Sequence, residues 1–389
     1  MTETSEQEQR RRRLAAWRGS DRVLWRGSAE HRIGDRLTAL VADAGQVYDL
    51  DQPADIYGDG VVEKVESRVA ALLGHPDAVF FPTGTMAQQV ALRCWAGRTG
   101  NATVALHPLG HPEVHERGAF GVVSGLRTVH PTSEPRLPTA AEVAEFEEPF
   151  GTLMLELPLR DAGFVLPSWD ELVAVVAAAR ERDAVVHFDG ARLWECAAHF
   201  GRGLAEIGSL ADSVYVSFYK SLNALAGAAL AGPAEVMAEA RAWRHRYGGL
   251  MFQQYPTALS ALLGLERELP RLPSYVAHAG RMAAALTEAL RAGGVPWFQV
   301  HPTPPRTHQF QVWLPYGPEV LDEASVRQAE ETGVTLFRRW FATGRPPGVS
   351  VTEMTVAAEG LAWEEEDIHT AVAEFLRRIA QVERAGLSE

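Results

Sequence analysis

Two short apolar runs, each ending on a polar residue with chemistry to offer, constrain this chain most. Ala184-Val185-Val186-His187-Phe188 leads into Asp189, with Gly190-Ala191-Arg192 after it. Ser213-Val214-Tyr215-Val216-Ser217-Phe218-Tyr219 leads into Lys220, with small and turn-forming residues after it. Runs of this kind, rich in β-branched and aromatic residues and bounded by turn signals, predict buried strands. In open α/β sheets, ligands bind just beyond the carboxyl ends of such strands. Asp189 and Lys220 are therefore expected at neighbouring strand ends, facing one site.

Lys220 stands out again by composition. The 37 lysine and arginine residues include only two lysines, Lys64 and Lys220. Arginine keeps its proton in a protein, whereas lysine can lose it and act as an amine nucleophile. Lys64 lies in an amphipathic helical pattern and reads as a solvated cation. Lys220 follows an apolar strand, where lysine is rare unless paired or functional. The plainer reading is a strand-end lysine reaching for water; the chemical one is a Schiff-base lysine. Asp189 alone would read as a helix cap or a partner for Arg192. Beside Lys220 it reads as the acid that pairs with the pyridinium nitrogen of pyridoxal 5'-phosphate and keeps that ring an electron sink. Upstream, a strand at residues 78–82 runs into Thr83-Gly84-Thr85 and a helix over about 86–95. Two hydroxyls and a glycine at a helix N-terminus suit a phosphate group.

Strands and helices alternate through the first two thirds of the chain. Further strands are expected at residues 103–106 and 153–157, and Ser168-Trp169-Asp170-Glu171 is a capping box opening a helix to about residue 182. This alternation predicts an α/β fold with a mostly parallel, doubly wound sheet. From about residue 269 the pattern shifts to a long helix (274–292), strands near 308–314 and 348–357, and a last helix. That helix carries Ile368, Val372, Phe375, Leu376, Ile379 and Val382 on one face. The expected division is an N-terminal segment (1–48), a large cofactor-binding domain (49–268) and a smaller α+β domain (269–389).

A net charge of −13 argues against general affinity for nucleic acid or anionic membranes. No run of 18 or more apolar residues offers a transmembrane helix, and the charged N-terminus lacks a signal-peptide core. Cys94 and Cys196 make neither a disulfide framework nor a metal-ligand spacing. A cytoplasmic protein is expected. His111 and His115 stand one helical turn apart, which invites a metal reading. Pro112 and Gly118 disfavour a helix there and a third ligand is not evident, so no metal is expected.

Ile56-Tyr57-Gly58-Asp59, Pro82-Thr83-Gly84-Thr85-Met86, His111 with Glu116, His187-Phe188-Asp189-Gly190-Ala191-Arg192-Leu193 and Tyr219-Lys220 occur in this order. Together they resemble the threonine aldolase and β-eliminating lyase family, whose fold is similar to that of the wider aspartate-aminotransferase-like (fold type I) pyridoxal phosphate enzymes. The resemblance is good over about residues 50–265 and loose elsewhere. It implies Lys220 as the Schiff-base lysine, Asp189 on the pyridinium nitrogen, His111 stacked on the ring, Thr83, Gly84 and Thr85 on the phosphate, and Arg192 beside cofactor or substrate. It also implies Tyr57 at the pocket rim, an amino-acid substrate and a homodimer or homotetramer. The implied activity is retro-aldol cleavage of a β-hydroxy-L-amino acid to glycine and an aldehyde. Alternatives are a β-eliminating lyase, since both reactions share a Cα carbanion, and a non-catalytic scaffold that keeps the fold.

Three departures bear on the substrate. Where the family often has Thr-His-Asn, this chain has Leu157-Pro158-Leu159-Arg160-Asp161. Met251-Phe252-Gln253 stands where Met-Arg-Gln is frequent, and Val351-Thr352-Glu353-Met354-Thr355 lacks the usual arginine. Arg160, Arg192, Arg338, Arg339 and Arg345 are the cations available for a substrate carboxylate, with Arg192 first and Arg160 next. Leu157, Leu159 and Phe252 suggest a β-substituent larger and more apolar than that of threonine.

Overall fold

The computed structural model describes residues 3–344 and 347–386. They form two compact units, one of residues 38–271 and one joining the residues up to 37 with those from 272 onward. In the larger unit seven strands build one sheet: β1 (Asp77–Phe81), β2 (Thr103–Ala105), β3 (Arg127–Val129), β4 (Thr152–Glu156), β5 (Val185–Gly190), β6 (Ser213–Ser217) and β7 (Ala228–Gly232). Their order across the sheet is β1-β7-β6-β5-β4-β2-β3. Strands β3, β2, β4, β5 and β6 run parallel, and β7 is antiparallel to both of its neighbours. The central strands are buried along almost their whole length, which is why they read as continuous apolar runs rather than alternating ones.

Helices α1 (Val61–Leu73), α2 (Gly84–Thr99), α3 (His111–His115), α4 (Trp169–Arg180), α5 (Ala234–Arg246) and α6 (Tyr255–Arg267) belong to the same unit. The capping box forms as expected: the Ser168 hydroxyl accepts the Glu171 N–H, and the Glu171 carboxylate accepts the Ser168 N–H at 2.7 Å. Helix α2 extends past both expected ends. Thr83 caps its start, and Gly100, at φ 68°, ends it in the left-handed conformation that glycine adopts without strain.

A buried polar chain fastens α2 to the sheet. The Trp95 indole donates to Ser213 Oγ (2.8 Å), that hydroxyl donates to His187 Nδ1 (2.7 Å), and His187 Nε2 donates to Gln88 Oε1 (2.7 Å). The direction follows from Gln88 Oε1, which can only accept: it places the proton of the ring on Nε2 and leaves Nδ1 to accept from the Ser213 hydroxyl. Burial pushes the His187 imidazole down to about 3, so the ring stays neutral and keeps one donor and one acceptor.

The second unit has its own core. An antiparallel sheet of β8 (Gln299–His301), β9 (Gln309–Leu314), β10 (Phe341–Ala342) and β11 (Ser350–Thr355) runs in the order β10-β11-β9-β8. Helices α7 (Leu272–Ala292), α8 (Pro318–Thr332) and α9 (Glu365–Gly386) belong with it, and Ile368, Val372, Phe375 and Ile379 of α9 enter the core. Of the N-terminal segment expected over 1–48, the described residues up to 37 group with this unit and residues 38–48 with the larger one. The helix Glu3–Gly19 is tied to α8 by Arg12, which bridges Glu323 (2.8 Å) and Glu330 (2.7 Å). Arg22–Val23 pairs in parallel with Val334–Thr335.

Replacing His187 with alanine leaves the Ser213 hydroxyl proton without its acceptor and the Gln88 amide oxygen without its donor in a dry interior. His187→Ala is expected to cost about 2–4 kcal/mol, read as a lower urea midpoint at unchanged slope. A loss below about 0.5 kcal/mol would contradict a structural role for this chain of bonds.

Candidate active site

The site lies at the carboxyl ends of β4, β5 and β6. Glu156 ends β4, Asp189 lies near the end of β5, and the register sets Glu156 beside Asp189 and Asp189 beside Tyr215 of β6. Two carboxylates thus meet in the interior, Asp189 being 2% exposed and Glu156 8%. Asp189 Oδ1 accepts the Ala191 N–H at 3.1 Å. Glu156 accepts the backbone N–H of His111 at 2.7 Å and that of Arg160 at 3.3 Å. Burial raises the pKa of both acids, Glu156 to about 7 with the Asp189 charge adding to the effect. Lys220 and His111 act in the opposite sense on Asp189.

Lys220 sits in the bend just beyond β6. Burial, with the Arg192 charge adding to it, lowers its amine to about 8 against the opposing pull of Asp189 and Glu156. A lysine near 8 holds a useful neutral fraction at neutral pH, which a solvated lysine does not. The bend is braced by Ser221, whose hydroxyl donates to Glu195.

The turn from β1 into α2 forms the opposite side. Thr83 Oγ1 accepts the Met86 N–H at 3.3 Å, and the first intrahelical bond runs from Ala87 N–H to the Thr83 carbonyl. The N–H groups of Gly84 and Thr85 therefore precede the helical ladder, at the positive end of its dipole, and the Thr83 and Thr85 side chains are exposed. Gly84 is required by its neighbour, since a Cβ there would lie 2.0 Å from Tyr215 Oη. Tyr215 thus links this turn to Asp189.

Further groups surround these. His111 opens α3, and its Nδ1 lies 3.4 Å from Glu116, whose side chain is 3% exposed. Arg192 stands over the Phe164 ring at 5.5 Å, and its Nε is buried with no hydrogen-bond partner, as is Glu116 Oε2. Arg160 reaches Asp161 Oδ1 (3.4 Å) and His115 Nε2 (3.3 Å). Tyr57 is exposed at φ 59° and meets Phe252 edge-on at 5.7 Å. Its loop is anchored by Asp55, which accepts the N–H groups of Gln254 and Tyr255 at 2.9 and 2.7 Å.

A family model described as beta-eliminating lyase matches residues 42–307. The chain belongs to the β-eliminating lyase family. A low specificity L-threonine aldolase of Escherichia coli K12 is 30% identical over 242 residues, 60% of this chain and 72% of that protein. Low-specificity L-threonine aldolase 1 of Arabidopsis thaliana is 25% identical over 295 residues, 73% of this chain and 80% of that protein. A solved Listeria monocytogenes EGD-E protein, provisionally assigned as an L-allo-threonine aldolase, superposes with TM-score 0.85 at 30% identity, covering 95% of this chain and 99% of its own. The fold is the aspartate-aminotransferase-like (fold type I) architecture expected from sequence.

The residues present fit pyridoxal 5'-phosphate, the cofactor of this β-eliminating lyase fold. Thr83–Thr85 offers an anion cradle in which a Cβ at position 84 would not fit. Asp189 offers a dry carboxylate to a ring nitrogen, Lys220 an amine to a carbonyl, and Arg192 an unsatisfied N–H to an anion. Among the described residues no group of three or more His, Cys, Asp or Glu gathers as a metal site.

Other expectations change. Leu157 and Leu159 are 0% exposed, so they belong to the core and touch no substrate. Only Phe252 of the three apolar replacements is open to a ligand. Arg338 is taken up by Glu30 and the Trp25 carbonyl within the second unit. Arg345 lies outside the described residues. Glu156, Tyr215 and the His115–Asp161 pair went unrecognised as site residues, although an acid ending an apolar run beside the Asp189 strand was a readable signal for Glu156. Pro112 was taken to argue against a helix at 111–115, yet it sits in the first turn of α3, where proline is well tolerated.

The lowered amine is directly measurable, because Lys64→Arg leaves Lys220 as the only lysine in the chain. Reductive methylation of cofactor-free Lys64→Arg protein, followed at the Lys220 peptide by mass spectrometry, should reach half its maximal rate near pH 8. A midpoint above about 10 would mean that Lys220 behaves as an ordinary solvated lysine.

Proposed function

We propose that this protein is a pyridoxal phosphate-dependent carbon–carbon lyase that splits a β-hydroxy-L-amino acid into glycine and an aldehyde. The observation that carries the reading is the gathering of a buried acid, a lowered lysine amine and a helix N-terminus at one set of strand ends. The relatives that bear the name L-threonine aldolase support the choice of reaction.

Pyridoxal phosphate, when bound, supplies a reactive carbonyl and a conjugated ring that takes up the electron pair left at Cα. The chain's own residues do the rest. Thr83, Gly84 and Thr85 hold the phosphate. Asp189 keeps a proton on the ring nitrogen, and its burial strengthens that pairing. Lys220 would hold the cofactor through its carbonyl and would move a proton at Cα. His111 would supply an aromatic face to the cofactor. Arg192 binds the substrate carboxylate, ahead of Arg160, which already serves His115 and Asp161. Tyr57 and Phe252 border the side on which a β-substituent enters.

The working form is a homo-oligomer, a dimer or a tetramer. Ile56, Tyr57, Met251, Phe252 and Tyr255 are each at least 40% exposed, on two loops that Asp55 holds together. An apolar patch of that kind beside a site suits a second copy of the chain. A cytoplasmic setting fits the two buried, unbridged cysteines. No helix among the described residues is long and apolar enough to cross a membrane.

Threonine, allo-threonine, phenylserine and a cysteine conjugate, each assayed for glycine and for pyruvate, decide the reaction. Glycine with an aldehyde is the expected pair, and phenylserine should match or exceed threonine. Pyruvate without glycine would move the assignment to β-elimination, and no product from any of them would favour a scaffold. Asp189→Asn should retain the cofactor yet lose about 100-fold or more in kcat; full activity would assign the ring nitrogen to another residue.

A further inference from the structure

Retro-aldol cleavage needs a group to take the proton from the β-hydroxyl, and the residues assigned so far leave that task open. Asp189 and Glu156 are buried at the strand ends and committed to backbone N–H groups. Lys220 is the amine that bonds the cofactor. His111 lies against Glu116. One imidazole at the site has no assigned work. His115 stands one turn along α3 from His111, their ring centroids 5.1 Å apart, and its side chain is 38% exposed.

We propose that His115, oriented by Asp161, is the proton acceptor for the substrate β-hydroxyl. This rests on the retro-aldol reading above. Two groups meet His115 Nε2: Asp161 Oδ2 at 2.7 Å, which only accepts, and Arg160 Nη1 at 3.3 Å, which only donates. The shorter contact is the one that orients the ring, so Nε2 carries the proton toward Asp161 and the guanidinium pairs with the other oxygen of that carboxylate. The lone pair is then on Nδ1. A carboxylate holding one ring nitrogen so that the other is a base is an arrangement suited to general-base catalysis. Arg160 closes the group. Its Nη1 reaches Asp161 Oδ1 at 3.4 Å, and its backbone N–H is held by Glu156, the neighbour of Asp189. Its charge also acts on Lys220. Helix α3 is fixed from the same point, because Glu156 accepts the His111 N–H. His115 is thus carried on an element anchored to the strand ends, with its side chain 38% exposed.

The step balances without a further reactant. The β O–H bond breaks and its proton passes to His115 Nδ1. The oxygen electron pair forms the aldehyde C=O as the Cα–Cβ bond breaks. The electron pair left at Cα takes a proton from Lys220, giving glycine, and the proton held by His115 passes through solvent to Lys220, so both groups return to their starting forms with no net proton gained or lost.

His115→Phe keeps an aromatic ring beside His111 and removes the acceptor. With phenylserine, kcat for cleavage should fall about 100-fold or more. Exchange of the glycine α-proton with deuterated water, which needs no β-hydroxyl base, should stay within about threefold, as should the cofactor absorbance. Asp161→Asn should fall about tenfold in cleavage alone. In cofactor-free protein, nitrogen-15 NMR of the His115 ring should show the Nε2–H tautomer, and Asp161→Asn should shift it toward Nδ1–H. Unchanged cleavage in His115→Phe, an equal fall in cleavage and exchange, or an Nδ1–H tautomer in the unaltered protein would each overturn the proposal. Failure of the underlying reading looks different: the unaltered enzyme would exchange glycine but release none from any β-hydroxy amino acid, and the proposal would fall with it.

Discussion

The structure depends on a pair of carboxylates held out of water. Parallel register places Glu156 and Asp189 side by side on β4 and β5, both buried. Two neighbouring buried acids cannot both ionise cheaply: burial raises both, with the Asp189 charge adding to the rise at Glu156 and the Glu116 charge adding to it at Asp189. Their stabilisation comes from backbone N–H groups and from cations. Glu156 uses the N–H groups that open α3 and begin the segment at Arg160. Asp189 has one backbone N–H and the nearby Lys220 charge.

The same burial has a cost in the cofactor-free protein, and its sign follows from the shifts. Glu156 titrates near 7 when folded, above its ordinary value of 4.5, so the folded state retains a proton that the unfolded chain releases between those values. Its effect on stability is absent below 4.5 and increasingly unfavourable up to about 7. Lys220, lowered from 10.5 to about 8, is unfavourable below 8 and relieved as pH rises toward 10.5. A site that holds its acids and amine at a disadvantage is organised for a ligand that satisfies them.

Much of this was legible in the chain. Asp189 and Lys220 were readable because buried parallel strands are short apolar runs, and a polar residue at the end of one lands at the ligand edge. Thr83–Thr85 was readable because capping chemistry is local. Glu156 was harder, since a single acid closing the run Leu153-Met154-Leu155 looks like a loop start until the register with Asp189 is known. His115 needed tertiary structure, because its partner Asp161 is 46 residues away. Leu157 and Leu159 misled for the reverse reason: apolar residues near a motif suggest a pocket wall, but whether they face ligand or core is decided by packing. The packing of the N-terminal helix on α8 rests on Arg12, one of four consecutive arginines, whose partners Glu330 and Glu323 lie 318 and 311 residues away in sequence.

The central claim is that Lys220 is the residue that binds the cofactor carbonyl. Reduction of the purified yellow protein with borohydride, followed by proteolysis and peptide mass mapping, tests it most directly. The account predicts loss of the visible absorbance band and a pyridoxyl group on the Lys220 peptide alone. A label on Lys64, or a protein that binds pyridoxal phosphate without any reducible bond to lysine, would contradict it.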